Sequence, residues 1–238
     1  MNLHNKAQHY ILERIKSGEW PVDSQIPPEA ELSRTLGISR PTLRQALARL
    51  SDRGYLSRQK GRGTFVTEPK LLHASTSMIW SYGEESARQG RKLKTEVLAL
   101  EQVRPEGAVA DALKLGPGKK VTRLTRLRRL EGFNGGRPVL LTSVFVPVSL
   151  FPRMAELDFT DTSFYAELEK EGLEIAVAER ELEAAVASPE TAELLEISRF
   201  EPVIRVSSVG FLTDGRPVEY AESYYPAGCS KFMVRVNR

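Results

Sequence analysis

The feature that most restricts this 238-residue chain is an internal duplication. Residues 89–147 and 171–226 carry the same succession of patterns: strand, short helix, strand, a "GRPV" turn, strand. Gly90 pairs with Gly172 and Val121 with Val203, both 82 positions apart. The "GRPV" at 136–139 pairs with the "GRPV" at 215–218 at a spacing of 79, so the second hairpin turn is three residues shorter. Two units are too few for a solenoid. They are expected to form one mixed α/β domain around an antiparallel sheet.

The residues before the duplication follow a different pattern. In 5–20, Ala7, Ile11, Leu12 and Ile15 recur at helical spacing, and Gly18 is the stop. In 26–37, Pro27 and Pro28 precede two early glutamates, Leu32 and Leu36 lie one turn apart, and Gly37 ends the helix. In 39–54, Ser39 is the N-cap, and Leu43, Ala46, Leu47 and Leu50 form one apolar face. Residues 55–67 predict two short strands joined by a glycine-bearing turn. Three helices and a hairpin, with "LGIS" joining the second and third helices, make a winged helix-turn-helix pattern. The expected organisation is therefore α+β: a winged helix-turn-helix domain over 1–67, a linker over 68–76, and the duplicated α/β domain over 77–238.

Charge follows the same division. Residues 1–70 hold 12 lysines and arginines against 7 aspartates and glutamates, a net +5; the remainder holds 22 against 24, a net −2. A basic excess confined to the first third suits contact with a polyanion. In the third helix, Arg40 and Arg44 lie one turn apart, off the leucine face, with Thr42 and Gln45 beside them. Arginine matches guanine's paired acceptors or a phosphate, and hydroxyls match phosphate. Arg34, late in the second helix, is placed to meet the DNA backbone. The hairpin tip combines Lys60 and Arg62 with Gly61 and Gly63, which let the main chain approach a groove or a phosphate.

The stretch "IPPEAELSRTLGISRPTLRQALARLSDRGYLSRQKGRGTFV" resembles the DNA-binding domain of the GntR family of bacterial regulators. The resemblance spans nearly all of residues 5–67. It implies that Ser39, Arg40, Thr42 and Arg44 contact operator DNA, that Gly61 brings the wing to the minor groove, and that the chain binds a palindromic site as a dimer.

The duplicated domain carries one conspicuous run, "TRLTRLRRL" at 122–130. Its β-branched and leucine content, and its strand-like counterpart "VIRVSSVGFL", predict a strand. Alternation then places Arg126 and Arg128 on one face and Arg123 and Arg129 on the other. Two arginines two apart on a strand face can converge on one anion. The alternative is an edge strand whose arginines guard against aggregation. Residues 75–238 also resemble the UTRA effector-binding domain of the HutC branch of the GntR family, which has a chorismate-lyase-like fold. The resemblance rests on "RLRRLEG…GRPVLLTSVFVP", "DTSFYAEL" and "GRPVEYAESYY". It implies that Arg126, Arg128, Ser163 and Tyr165 grip a phosphate or carboxylate. It further implies that Tyr82 and the Gly83 amide contribute from a short helix over 81–90, and that Glu219 and Tyr225 hold the polar body of the ligand. Two positions depart from the family's pattern. Thr142 stands where relatives often have glutamate, and "PAGCS", with Cys229, stands where many have an arginine-aspartate-arginine run; an amino sugar is therefore disfavoured.

Other chemistries find little support. The three histidines, His4, His9 and His73, all fall at or before the expected linker, and Cys229 is the sole cysteine. There is no phosphate-binding GxxxxGK[ST] loop and no GxSxG elbow. No catalytic constellation, metal set or cofactor is expected. No run approaches the roughly 18 apolar residues of a membrane span, and the N-terminus lacks a signal-peptide core, so a cytoplasmic location without membrane contact is expected. The reading that unites these features is a homodimeric regulator, a repressor, that binds double-stranded operator DNA and responds to a small anionic metabolite, a sugar phosphate or organic acid. A lyase-like enzyme with an added DNA-binding domain, and an architectural DNA-binding protein, are the alternatives.

Overall fold

The structure, a computed structural model, describes residues 3–73, 82–88 and 90–234. It divides into two compact units, Met1–Lys70 and Leu71–Arg238.

The first unit contains helices α1 (Leu3–Lys16), α2 (Glu29–Leu36) and α3 (Arg40–Asp52), then strands β1 (Leu56–Gln59) and β2 (Gly63–Val66). Gly37 adopts a left-handed conformation (φ +62°), and its amide and that of Ile38 satisfy the last carbonyls of α2. Helix α3 starts at Ser39, whose Oγ accepts the Thr42 amide. The leucine face of α3 meets Ile11 of α1, Leu32 of α2 and Val66 of β2 in a closed core. β1 and β2 pair antiparallel, with Leu56 opposite Val66 and Gln59 opposite Gly63. The winged helix-turn-helix pattern is thus realised element for element.

The second unit begins with β3 (Leu71–His73) and α4 (Tyr82–Arg88), followed by β4 (Leu93–Val103), α5 (Ala108–Ala112), β5 (Val121–Leu130) and β6 (Leu140–Pro147). Next come α6 (Phe164–Lys170), β7 (Val177–Val186), α7 (Pro189–Leu194), β8 (Pro202–Phe211), β9 (Pro217–Pro226) and β10 (Ser230–Phe232). The duplication appears as two copies of strand–helix–strand–strand. They form one six-stranded sheet of order β4-β5-β6-β9-β8-β7, with the third strand of each copy at the centre. All its neighbours are antiparallel. The two "GRPV" turns share their conformation as well as their letters: Gly136 has φ +80° and Gly215 φ +79°.

One face of the sheet is half covered by α6 and the preceding loop. Phe151, Met154, Phe159, Phe164 and Leu168 pack there on Leu124, Val144 and Ala221. Burying each such side chain contributes about 1.5–3 kcal/mol. Over Leu130, Leu140 and Tyr225, the same face carries Leu71 of β3 and, partly buried, Tyr82 of α4 and Phe232 of β10. Part of the stretch expected as linker is therefore structured. Residues 71–73 pair in parallel with 230–232, with Leu71 and His73 buried on alternate positions. Three residues are too few to show a period, which is why the sequence conceals this strand.

Candidate functional site

In the first unit, the residues expected to meet DNA cluster on the exposed side of α3 and at the hairpin tip. Arg40, Arg44 and Gln45 are exposed, as are Lys60, Gly61 and Arg62. Gly61 has φ +77°, a turn conformation that a side chain would strain. The tip is held by Gln25, whose Nε2 donates to the Arg62 carbonyl at 2.9 Å. Gly63 has φ +122°, where a side chain is strained, and a Cβ there would lie 2.3 Å from that same nitrogen, so it would displace the Gln25 side chain from the tip. Ser39 and Thr42 share a hydroxyl hydrogen bond of 2.8 Å as well as the cap. Arg34 is exposed and turns its Nε back to the Ala30 carbonyl.

A relationship that sequence reasoning missed joins these parts. Glu29 accepts from Arg44 Nε through one oxygen and from Arg58 Nη2 through the other, both at 2.7 Å. One carboxylate thus links α2, α3 and β1. In the sequence, Glu29 reads only as a favourable charge at a helix start.

In the second unit, β5 is flanked by β4 and β6, so it is not an edge strand and the aggregation-guard alternative is removed. Alternation splits its arginines as expected. Arg123 and Arg129 are half-buried and paired with Glu101 and Glu196. Arg126 and Arg128 are buried, each 6% exposed, on the face that α6 covers. Their Nε atoms have no hydrogen-bond partner among the described residues. Burial, and then the neighbouring Arg128, hold the Arg126 guanidinium well below its ordinary pKa, and burial lowers Arg128.

Both arginines line a cavity of about 380 Å³, together with Gly83, Thr95, Ser163 and the loop Thr160–Asp161–Thr162. Ser163 is the N-cap of α6, its Oγ accepting the Ala166 amide. Thr95 and Thr160 were not anticipated, because no motif marks them; Asp161 and Thr162 open the "DTSFYAEL" stretch, where only Ser163 and Tyr165 were expected at the site. Four expected residues flank the arginines without lining this cavity. The Tyr82 ring lies 5.7 Å from the Arg128 guanidinium. Tyr225 and Tyr82 pack with His73 and Phe232 in one aromatic cluster. Tyr165 donates to Glu219 Oε1 at 3.0 Å, and Glu219 Oε2 is buried with no partner among the described residues. Burial raises the Glu219 carboxyl to about 7, opposed by Tyr165, Arg180 and Arg126. Burial and the Glu219 charge raise Tyr165 well above the ordinary phenol value. Arg180 was not anticipated. Register places it, on β7 opposite Ser208 of β8, on the Arg126 face. Ser81, the first residue of the short helix expected over 81–90, lies outside the described residues.

Among the described residues no cluster of histidine, cysteine, aspartate and glutamate could hold a metal, and no helix is long and apolar enough to cross a membrane.

A winged helix-turn-helix unit joined to a duplicated antiparallel sheet with buried arginines defines the class, a DNA-binding transcriptional regulator of two domains. Residues 3–66 match the gntR family of bacterial regulatory proteins and residues 88–228 match the UTRA domain; the chain belongs to the GntR family, and within it to the HutC type. It is 32% identical over 237 residues to the HTH-type transcriptional repressor NagR of Bacillus subtilis (strain 168), covering 99% of this chain and 95% of that protein. It is 31% identical over 236 residues to the histidine utilization repressor of Pseudomonas putida, covering 99% and 92%. Among solved structures, PhnF from Mycobacterium smegmatis shares the fold, with a TM-score of 0.82 at 24% identity over 96% of this chain and 98% of that one.

Proposed function

We propose that this regulator is a repressor that binds operator DNA as a homodimer and is controlled by a small anionic metabolite, a sugar phosphate or organic acid. Residues 1–67 read the operator: Arg40 and Arg44 address base edges or phosphates, and Arg34, Ser39 and Thr42 meet the backbone. Lys60, Gly61 and Arg62 carry the wing into the adjacent groove. Residues 77–238 bind the metabolite. Two relatives named as repressors, matched over nearly their full length, support the direction of control.

The observation that carries the effector class is the Arg126–Arg128 pair. Two guanidinium groups buried side by side cost several kcal/mol unless something negative satisfies them. An anion in the adjoining cavity would do so through charge-assisted bonds, with the Ser163 hydroxyl at its edge. Tyr165, Glu219, Tyr225 and Tyr82 would then shape the rest of the site. Binding changes operator affinity only if the ligand favours one arrangement of the protein over another. The test is a thermal-shift panel of sugar phosphates and organic acids, followed by operator release with each hit. A specific ligand raises the unfolding temperature by mass action. A panel with no stabilising anion, or hits that act equally on Arg126→Ala, would rule the reading out.

A further inference from the structure

An acidic residue beside a DNA-facing surface repels phosphate, so its presence there needs a reason. Glu29 stands next to Arg44, with Arg58 on its other oxygen. Stability is a weak reason. The side chains of Arg44 and Arg58 are 61% and 68% exposed, and pairs so exposed contribute only about 0–1 kcal/mol. Geometry is a stronger one. Glu29 engages Arg44 through Nε, which leaves both terminal nitrogens of the guanidinium for the two-bond contact that reads guanine. Arg58 holds the other carboxylate oxygen, so the buttress is itself restrained, and Glu29 is the least exposed of the three at 21%.

We propose that Glu29 is a positioning residue for sequence readout, fixing the plane of the Arg44 guanidinium and tying the recognition helix to the first strand of the wing. This rests on the reading of the N-terminal unit as the operator reader. The consequence is a split in sign. A carboxylate that only repels phosphate weakens binding to every duplex alike. A carboxylate that orients Arg44 strengthens binding to the correct sequence and weakens binding elsewhere.

The experiment begins with the wild-type protein selecting duplexes from a random-sequence library. Affinity for the selected site and for a scrambled duplex is then measured at one salt concentration. The proteins compared are wild type, Glu29→Gln, Arg44→Ala and the double variant, each checked for an unchanged unfolding midpoint. Glu29→Gln is expected to weaken the selected site on the order of tenfold and to leave the scrambled duplex unchanged or tighter. In the Arg44→Ala background it should not alter the ratio further, because the group it orients is gone. Arg58→Ala, which frees one oxygen of Glu29 without touching α2, should lower the ratio in the same direction by less. Tighter binding of Glu29→Gln to both duplexes by one factor would overturn the proposal, as would an equal fall in the ratio with Arg44 absent. A wild-type protein that enriches no sequence would overturn the DNA-binding reading beneath it.

Discussion

Gly210 lies directly opposite Glu219 across the β8–β9 pair, and a Cβ at position 210 would sit 2.8 Å from Glu219 Cγ and 2.7 Å from Ile175 Cδ1. The absent side chain is the space that Glu219 occupies, and the register shifts immediately after Gly210, where β8 passes that carboxylate. Gly210→Ala is expected to cost about 1–3 kcal/mol by overpacking. Because Glu219 must then shift from Tyr165, the stabilisation by an anionic ligand should shrink as well. Urea unfolding with and without ligand reads both effects. An alanine variant with wild-type stability and a full ligand shift would show that the close approach has no consequence.

The Glu219 carboxyl gives the fold a pH dependence of defined sign. It titrates near 7 in the folded chain, against 4.5 for the ordinary group, and Tyr165, Arg126 and Arg180 face it. Between those values the folded state keeps a proton that the unfolded chain has lost. Stability therefore falls as pH rises across that window and levels off above it. The fall due to this group is on the order of 3 kcal/mol. Glu219→Gln keeps an acceptor for Tyr165 and removes the titration. Its unfolding free energy should lose that part of the slope and exceed wild type at pH 8. Parallel pH profiles for the two proteins would contradict the assignment.

Arg126 combines burial, a like charge at Arg128 and an Nε without a partner among the described residues. Replacing such a group by an apolar one of similar length tends to be neutral or stabilising. Arg126→Met is expected to unfold at or above the wild-type temperature without ligand, and to show no shift with any anion. Operator binding should persist, giving a repressor that does not respond. A variant that kept the wild-type shift with a stabilising anion would remove Arg126 from the ligand site.

The sequence revealed unequal parts of this protein, for physical reasons. Periodicity and capping residues place the helices of the first unit because helix ends have local causes, such as Ser39 and Gly37. The duplication predicts the sheet, and alternation alone separates Arg126 and Arg128 from Arg123 and Arg129. What stayed hidden was non-local. The bridge from Glu29 to Arg44 and Arg58 spans three elements. Arg180 joins the Arg126 face only through strand register, and β3 is too short to carry a period. In the irregular cavity loop, Thr160 lies outside the "DTSFYAEL" stretch, and nothing local tells that Asp161 and Thr162 inside it line the cavity.

Ser39 serves two ends at once. Its Oγ accepts the Thr42 amide, closing the start of α3, and it shares a 2.8 Å hydrogen bond with the Thr42 hydroxyl. Ser39→Ala should lose about 1 kcal/mol, the usual cost of an N-cap, whereas Ser39→Asp should restore the cap and place a negative charge where phosphate is expected. Chemical unfolding should rank serine with aspartate above alanine, and operator binding should rank aspartate last. Equal operator affinity for the aspartate and serine proteins would remove Ser39 from the interface.

Arg44 makes the sharpest demand on side-chain chemistry. Its Nε donates to Glu29, and the proposed readout uses its terminal nitrogens. Lysine supplies the charge but has neither the Nε donor nor the planar fork. If charge were what mattered, Arg44→Lys would bind the operator nearly as well as wild type and Arg44→Ala would not. If geometry matters, both variants lose discrimination alike, on the order of 1–3 kcal/mol for a two-bond base contact. The lysine protein should keep more of its affinity for unrelated duplexes and more of its salt dependence. Ligand-induced stabilisation, which the proposed anion site assigns to Arg126 and Arg128, should be unchanged in both. Fluorescence anisotropy over a salt series separates these outcomes, and a lysine variant that matches wild type at the selected site would refute the role given to the guanidinium.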